Sequence, residues 1–176
     1  SLVGGDNIIQ LRAENAPVLL RHLDSQGVNI TWHPLVSTIP FPVKRQWIEP
    51  MQVDVPTGAD PFCYKLRAFV GSGAIVDGER YCVLNDDDMY AEGLLAAVAG
   101  MRERIVVASM LRGQRVPTWA ANGHLHPTST LRAEPASMRV GSVGVEQYFV
   151  MGEIFRQADF RLDQAARCDG LVAEWL

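Results

Sequence analysis

The run Asn85-Asp86-Asp87-Asp88-Met89-Tyr90 follows directly on the apolar stretch Tyr81-Cys82-Val83-Leu84. Three consecutive carboxylates at the end of a buried strand are costly. Two like charges about 6 Å apart repel by about 3 kcal/mol at an effective dielectric of about 20. The nearby sequence offers only Arg80 as a counter-charge. A divalent cation with a phosphate ligand fits better, because Mg²⁺ or Mn²⁺ takes one or two protein carboxylates and fills its shell with water and substrate phosphate oxygens. The bland alternative is a solvated acidic turn capping the helix expected after Met89. A carboxylate there is worth up to about 1 kcal/mol, but one Asp suffices and three are unexplained. Strand alternation sets Asp86 and Asp88 on one face and Asp87 on the other. Asp88 is the first choice for direct metal contact. Asp86 is expected to hold a metal-bound water, the metal itself or the ribose.

These residues need a sheet to carry them. Asn7–Leu11 is a short strand candidate, followed by a helix from about Pro17 to Ser25 with Ala16, Leu19, Leu20 and Leu23 on one face. Val28–Val36 is a second strand, rich in β-branched and aromatic residues. Residues 37–44, with two prolines, read as loop, and Met51–Val55 as a third strand. Asp60 is an N-cap candidate for a helix whose apolar positions are Phe62, Leu66, Phe69 and Val70. The acidic strand, about Arg80 to Asn85, comes next. Ala91, Leu94, Leu95 and Val98 mark another helix, stopped by Gly100, and Arg104–Met110 a further strand. Residues 113–144 show little periodicity and are expected to be a long binding loop, a candidate to order over a ligand. Val145–Phe160 reads as a last helix and 162–176 as a short final one. The order argues for an α/β domain with a largely parallel sheet, in which ligands bind beyond the carboxyl ends of the strands.

Other residues are weighed against plainer roles. Lys65 is either a solvent-facing lysine or a contact to the diphosphate or nucleotide, and Arg67 reads as surface. Glu146 opens the expected last helix. It is either a dipole-favoured glutamate or a general base within reach of an acceptor hydroxyl, and Glu153 is its backup. His124 and His126 could supply a metal ligand or phosphate contact, His126 being the one assigned to the metal, although ordinary loop histidines account for the pair. Trp119 and Trp32 read as packing anchors more readily than as sugar or base contacts, and His33 lies with Trp32 on the ligand edge.

At 176 residues and net charge −4, the chain is expected to be one domain over 1–176. Its scattered basic residues give no electrostatic reason to bind nucleic acid. Cys63, Cys82 and Cys168 form no Cys-x-x-Cys, so neither a disulfide framework nor a zinc site is expected, which suggests a reducing, cytoplasmic setting. No apolar stretch is long enough for a transmembrane segment, and Ser1-Leu2 is open to being a cloning remnant. Gly4-Gly5 and Gly71-x-Gly73 match no phosphate loop, and there is no Gly-x-Ser-x-Gly elbow.

Lys65-Leu66-Arg67-Ala68-Phe69, a glycine-containing turn and Tyr81 to Tyr90 together resemble the nucleotide-sugar glycosyltransferases of the GT-A fold. In that family an Asp-x-Asp motif ends a central strand and holds a metal bound to the donor diphosphate. Gly144-Val145-Glu146-Gln147-Tyr148 resembles the acidic pair where inverting members keep their base, with Glu-Gln in place of Glu-Asp. Gln10-Leu11-Arg12 stands where Pro-x-Tyr-Asn is common near the nucleotide. The resemblance covers about Asn7 to Phe160 and implies a Rossmann-like, mostly parallel sheet flanked by helices. It implies Mn²⁺ or Mg²⁺ on Asp86, Asp88 and His126; donor contacts from Asp86, Asp87, Lys65, Gln10 and Arg12; and Glu146 as base. The partners implied are a nucleoside diphosphate sugar and a hydroxyl acceptor of unknown identity. A nucleotidyltransferase, or a non-catalytic ligand- or partner-binding domain of the same fold, is the alternative.

Overall fold

The computed structural model describes residues 1–4, 20–21, 23–37, 44–84, 90–113, 131–134 and 147–158, with backbone alone for 110–113 and 131–134. Among these residues the chain builds a five-stranded sheet from β1 (Leu2–Gly4), β2 (Trp32–His33), β5 (Arg80–Leu84), β6 (Ile105–Val107) and β9 (Tyr148–Met151), in the order β2-β1-β5-β9-β6. Two pairs stand beside it: β3 (Leu35–Val36) with β4 (Met51–Gln52), parallel, and β7 (Met110–Gly113) with β8 (Leu131–Glu134), antiparallel. The helices are α1 (Pro61–Gly71), α2 (Leu94–Ala99) and α3 (Gly152–Phe155), and Leu20, Arg21, Leu23 and Asp24 lie in a further helical turn. Strands β2, β1, β5 and β6 share one direction, and β9 alone opposes them. The fold is therefore α/β with a mostly parallel central sheet.

Side-chain alternation divides the core into two layers. Leu2, Cys82, Leu84 and Phe149 face Leu20, Leu23, Leu95 and Val98. Val3, Tyr81, Val83, Tyr148 and Val150 face Cys63, Leu66 and Phe69 of α1 and Phe155 of α3. A strand covered on both faces needs apolar residues at every position, which is why Tyr81-Cys82-Val83-Leu84 is an unbroken apolar run. Burying it beneath helices on both sides supplies the main driving force, at about 25 cal/mol per Å² of apolar surface removed from water.

Several sequence expectations hold. α1 starts where Asp60 caps it, the carboxylate accepting from Cys63 N at 2.9 Å. β5 and α2 lie where expected, α2 stopping at Gly100. Others need correction. The first strand in the sheet is Leu2–Gly4, which the sequence reading set aside; Asn7–Leu11 lies outside the described residues. The expected strand 28–36 is two short ones broken at Pro34, which has no N–H and whose carbonyl accepts from Met51 N. The expected 145–160 helix is instead β9 followed by the single turn α3. Its Tyr148-Phe149-Val150 core is aromatic and β-branched, and each residue is buried between the layers. Strands β7 and β8 also occupy part of the expected 113–144 loop and its approach. Cys63 is disulfide-bonded, whereas the buried Cys82 forms no disulfide. The cysteine-based argument for a reducing compartment therefore does not carry over. Among the described residues no helix is long and apolar enough to cross a membrane.

Candidate functional site

The carboxyl ends of β1, β2, β5 and β6 and the amino end of β9 share one edge of the sheet. From β1 the chain passes the 20–24 turn to reach β2 on one side; through α1 it reaches β5 on the other side of β1. That reversal makes the crevice beyond Gly4 and Leu84 a topological switch point, where ligands of open α/β sheets bind.

The edge is built closely. Gly4 has φ +95°, and a Cβ there would stand 3.0 Å from the Leu84 carbonyl oxygen. Only glycine adopts this conformation readily, and it lets the ends of β1 and β5 lie side by side. The fully buried Trp32 donates its indole N–H to the Gly4 carbonyl at 2.7 Å, so it is a core anchor. Tyr90, just past the acidic run, folds back onto β5. Its hydroxyl donates to the Val83 carbonyl at 3.2 Å and lies 3.1 Å from Cys82 Sγ, and its ring meets Phe149 at 6.0 Å. Leu84 and Tyr90 are thus both fixed against the central strand, with the Asn85–Met89 sequence between them. Across the edge, Ala108 N donates to the Gln147 carbonyl at 2.9 Å, and Gln147 Nε2 donates back to the Ala108 carbonyl at 2.7 Å. The antiparallel register of β5 and β9 places Gln147, the residue before β9, at the edge where β5 ends at Leu84.

Of the residues assigned roles from sequence, Lys65 is described, and it is not solvent-facing. It lies on the covered face of α1 at 8% exposure, while Arg67 is exposed. Gln10, Arg12, Asp86, Asp87, Asp88, His126 and Glu146 lie outside the described residues, as do Trp119 and His124. The backup base Glu153 sits beyond the far end of β9, in α3. There it accepts from Gly78 N at 3.3 Å and pairs with Arg104 at 3.6 Å. Because β9 occupies Tyr148–Met151, the single helix expected to carry both Glu146 and Glu153 does not form. Backbone N–H donors, its own and that of Gly78, hold the Glu153 carboxyl below its ordinary value.

Arg80, the counter-charge nearest in sequence, is at the amino end of β5, about 13 Å from Leu84 at about 3.3 Å per residue. Its guanidinium donates to the carbonyls of Phe149, Met101 and Glu103 at 3.2, 3.1 and 2.7 Å. It is committed to structure and does not answer the acidic run. His33 is buried at the end of β2, its ring 5.1 Å from that of Phe69 and its Nδ1 3.6 Å from Glu49. Burial pushes its pKa down, against the opposing pull of Glu49. Tyr148, at the start of β9, has a buried hydroxyl with no hydrogen-bond partner among the described residues, and burial raises its pKa. Among the described residues no group of three or more His, Cys, Asp or Glu is arranged to hold a metal ion.

The Tyr90 and Gln147 anchors escape sequence reasoning. Tyr90 reads there only as the end of the acidic run, and Gln147 only as a departure from an acidic pair. Compared with known proteins, the chain matches no family model, no curated protein and no solved structure.

Proposed function

We propose that the chain is a metal-dependent glycosyltransferase of the GT-A type, moving a sugar from a nucleoside diphosphate sugar to an acceptor hydroxyl with inversion. The observation that carries this reading is the position of β5. It is the third of five strands and borders the switch point, and its carboxyl end continues in sequence into Asp86-Asp87-Asp88. The donor chemistry fits a hard divalent cation: carboxylate oxygens suit Mg²⁺ or Mn²⁺, and the arginine nearest in sequence is engaged elsewhere. Asp86 and Asp88, with His126, would hold the ion, which when bound supplies Lewis-acid neutralisation of the leaving diphosphate.

The chain's own residues do the rest. Asp87 and Lys65, with Gln10 and Arg12, bind and orient the donor. Glu146 accepts the acceptor hydroxyl's proton as that oxygen attacks the anomeric carbon. The Ala108–Gln147 clasp anchors the entry to β9 and so favours a fixed mount for Glu146. Holding donor and acceptor in one geometry lowers the barrier by removing the entropy of bringing them together.

Release of nucleoside diphosphate from a panel of nucleotide sugars, with Mn²⁺ and simple glycoside acceptors, tests the reading. Turnover lost in Asp88→Ala, with Glu146→Gln lowering kcat by about 10² or more at little change in KM, is the expected result. Turnover indifferent to both substitutions would contradict it.

A further inference from the structure

Three tyrosines are buried among the described residues: Tyr81, Tyr90 and Tyr148. Two of them use their hydroxyls to hold the fold. Tyr81 accepts from Val76 N at 2.9 Å and donates to Glu79 at 3.4 Å, and Tyr90 donates to the Val83 carbonyl at 3.2 Å. The Tyr148 hydroxyl is closed to solvent and has no hydrogen-bond partner among the described residues. A buried donor left unmet is costly, because it gives up its bonds to water and gains none in return. The ring would fill the core equally well as phenylalanine, so packing does not account for the oxygen. An unmet buried group in a folded protein calls for a specific cause, and a ligand oxygen is one.

The place of Tyr148 in the sheet points the same way. It opens β9 opposite Val107 of β6. The β5–β9 register pairs Tyr81 with Val150 and, carried two residues on, sets Tyr148 level with Val83, one residue before β5 ends. Tyr148 therefore stands at the edge that borders the switch point, directly after the Gln147 clasp. Its side chain lies on the α1 side of the sheet with Val3 and Val83, the side on which α1 buries Lys65. Burial raises the phenol's pKa, so it is a neutral donor at physiological pH. Such a donor gains most from a charged oxygen, whose hydrogen bonds are about twice as strong as those between neutral groups. We propose that Tyr148 is a further binding residue for the nucleoside diphosphate, its hydroxyl donating to a diphosphate oxygen. This rests on the glycosyltransferase reading and adds to it a contact from β9. Because the oxygen is closed to solvent in the free chain, the ligand reaches it by displacing what covers it.

The test is calorimetric titration of the whole chain with a panel of nucleoside diphosphates and the matching nucleotide sugars at saturating Mn²⁺, on wild type, Tyr148→Phe and Tyr81→Phe, alongside each protein's ligand-free Tm. Tyr148→Phe should bind the nucleoside diphosphate about ten-fold more weakly or worse. Its ligand-free Tm should stay level or rise, because the unmet hydroxyl is gone. Tyr81→Phe should do the reverse, lowering Tm and leaving affinity unchanged. Equal affinity in Tyr148→Phe and wild type, or a fall in the variant's ligand-free Tm, overturns the inference and leaves the glycosyltransferase reading standing. A loss seen with the nucleotide sugar alone would move the contact to the sugar and overturn the diphosphate assignment. Wild type that binds none of the panel overturns both, so the two failures are told apart.

Discussion

The two ends of β5 are held by different kinds of polar group. At its amino end charged side chains are tied into the fold. Arg80 is held by three carbonyls, and Arg156 bridges Asp77 at 2.8 Å and the Ile75 carbonyl at 2.7 Å. Gly152 donates to the Glu79 carbonyl at 2.7 Å, so α3 is tied to the turn that leads into the strand. At the carboxyl end the anchors are uncharged: the Trp32 indole, the Tyr90 hydroxyl and the Gln147 amide. In the sequence, Asp86 to Asp88 come between Leu84 and Tyr90, and Glu146 directly precedes Gln147. One end spends its charges on the fold. The other holds its backbone with neutral groups, and it is the edge beyond which an α/β sheet is expected to bind a ligand.

The comparison breaks most readily at Gly152. A Cβ there would stand 2.1 Å from the Val76 carbonyl oxygen and 3.1 Å from Tyr81 Cε2. Gly152→Ala should therefore cost about 3 kcal/mol or more in urea unfolding. Next comes Arg80→Met, which leaves the carbonyls of Phe149, Met101 and Glu103 without their charged donor. A loss of about 1.5–3 kcal/mol is expected, with Mn²⁺ affinity of the folded protein unchanged; a variant that lost affinity but kept stability would reverse the assignment of the two ends. Trp32→Phe removes the indole donor from Gly4 at the carboxyl end. It should cost about 1 kcal/mol from the hydrogen bond, plus the smaller ring's lost packing, and should weaken nucleotide binding as well.

The smallest effect concerns His33. Its folded pKa lies below its ordinary value of 6.5 through burial, so the unfolded chain takes up the proton more readily. The stability linked to His33 is complete above pH about 6.5 and is lost as pH falls from there towards the folded pKa. Unfolding of wild type and His33→Gln at a series of pH values should show wild type losing stability through that window and the variant losing less. Parallel profiles would remove His33 from the account.

Much of this frame is legible in the sequence where a local rule acts alone. Asp60 caps α1 as a side-chain acceptor must, and Tyr81–Leu84 reads as a strand because both its faces are covered. The failures have physical causes. Tyr148–Met151 joins Ile154 and Phe155 in a stretch that looks helical, because a short, fully buried strand carries no two-residue alternation to distinguish it. Leu2–Gly4 is too short for any periodic window, and its place depends on β2 and β5, which lie 28 or more residues away in the chain. Lys65 reads equally as surface or as a ligand contact, because burial of a lysine depends on what packs over its helix. For the candidate site, the acidic run itself lies outside the described residues, and the strand that ends at Leu84 is legible. The anchors are not, since the Tyr90–Val83 and Gln147–Ala108 contacts exist only once strands from distant parts of the chain are adjacent.

The most direct test of the central claim is thermal unfolding of wild type and Asp88→Ala with a panel of nucleoside diphosphates, each with and without Mn²⁺. At about 100 times its dissociation constant a bound nucleotide adds about 2.7 kcal/mol of stability. The account predicts a metal-dependent rise in Tm with at least one nucleotide in wild type, absent from Asp88→Ala, whose ligand-free Tm is equal or higher. No rise with any nucleotide at saturating Mn²⁺, or a rise that survives in Asp88→Ala, would contradict it.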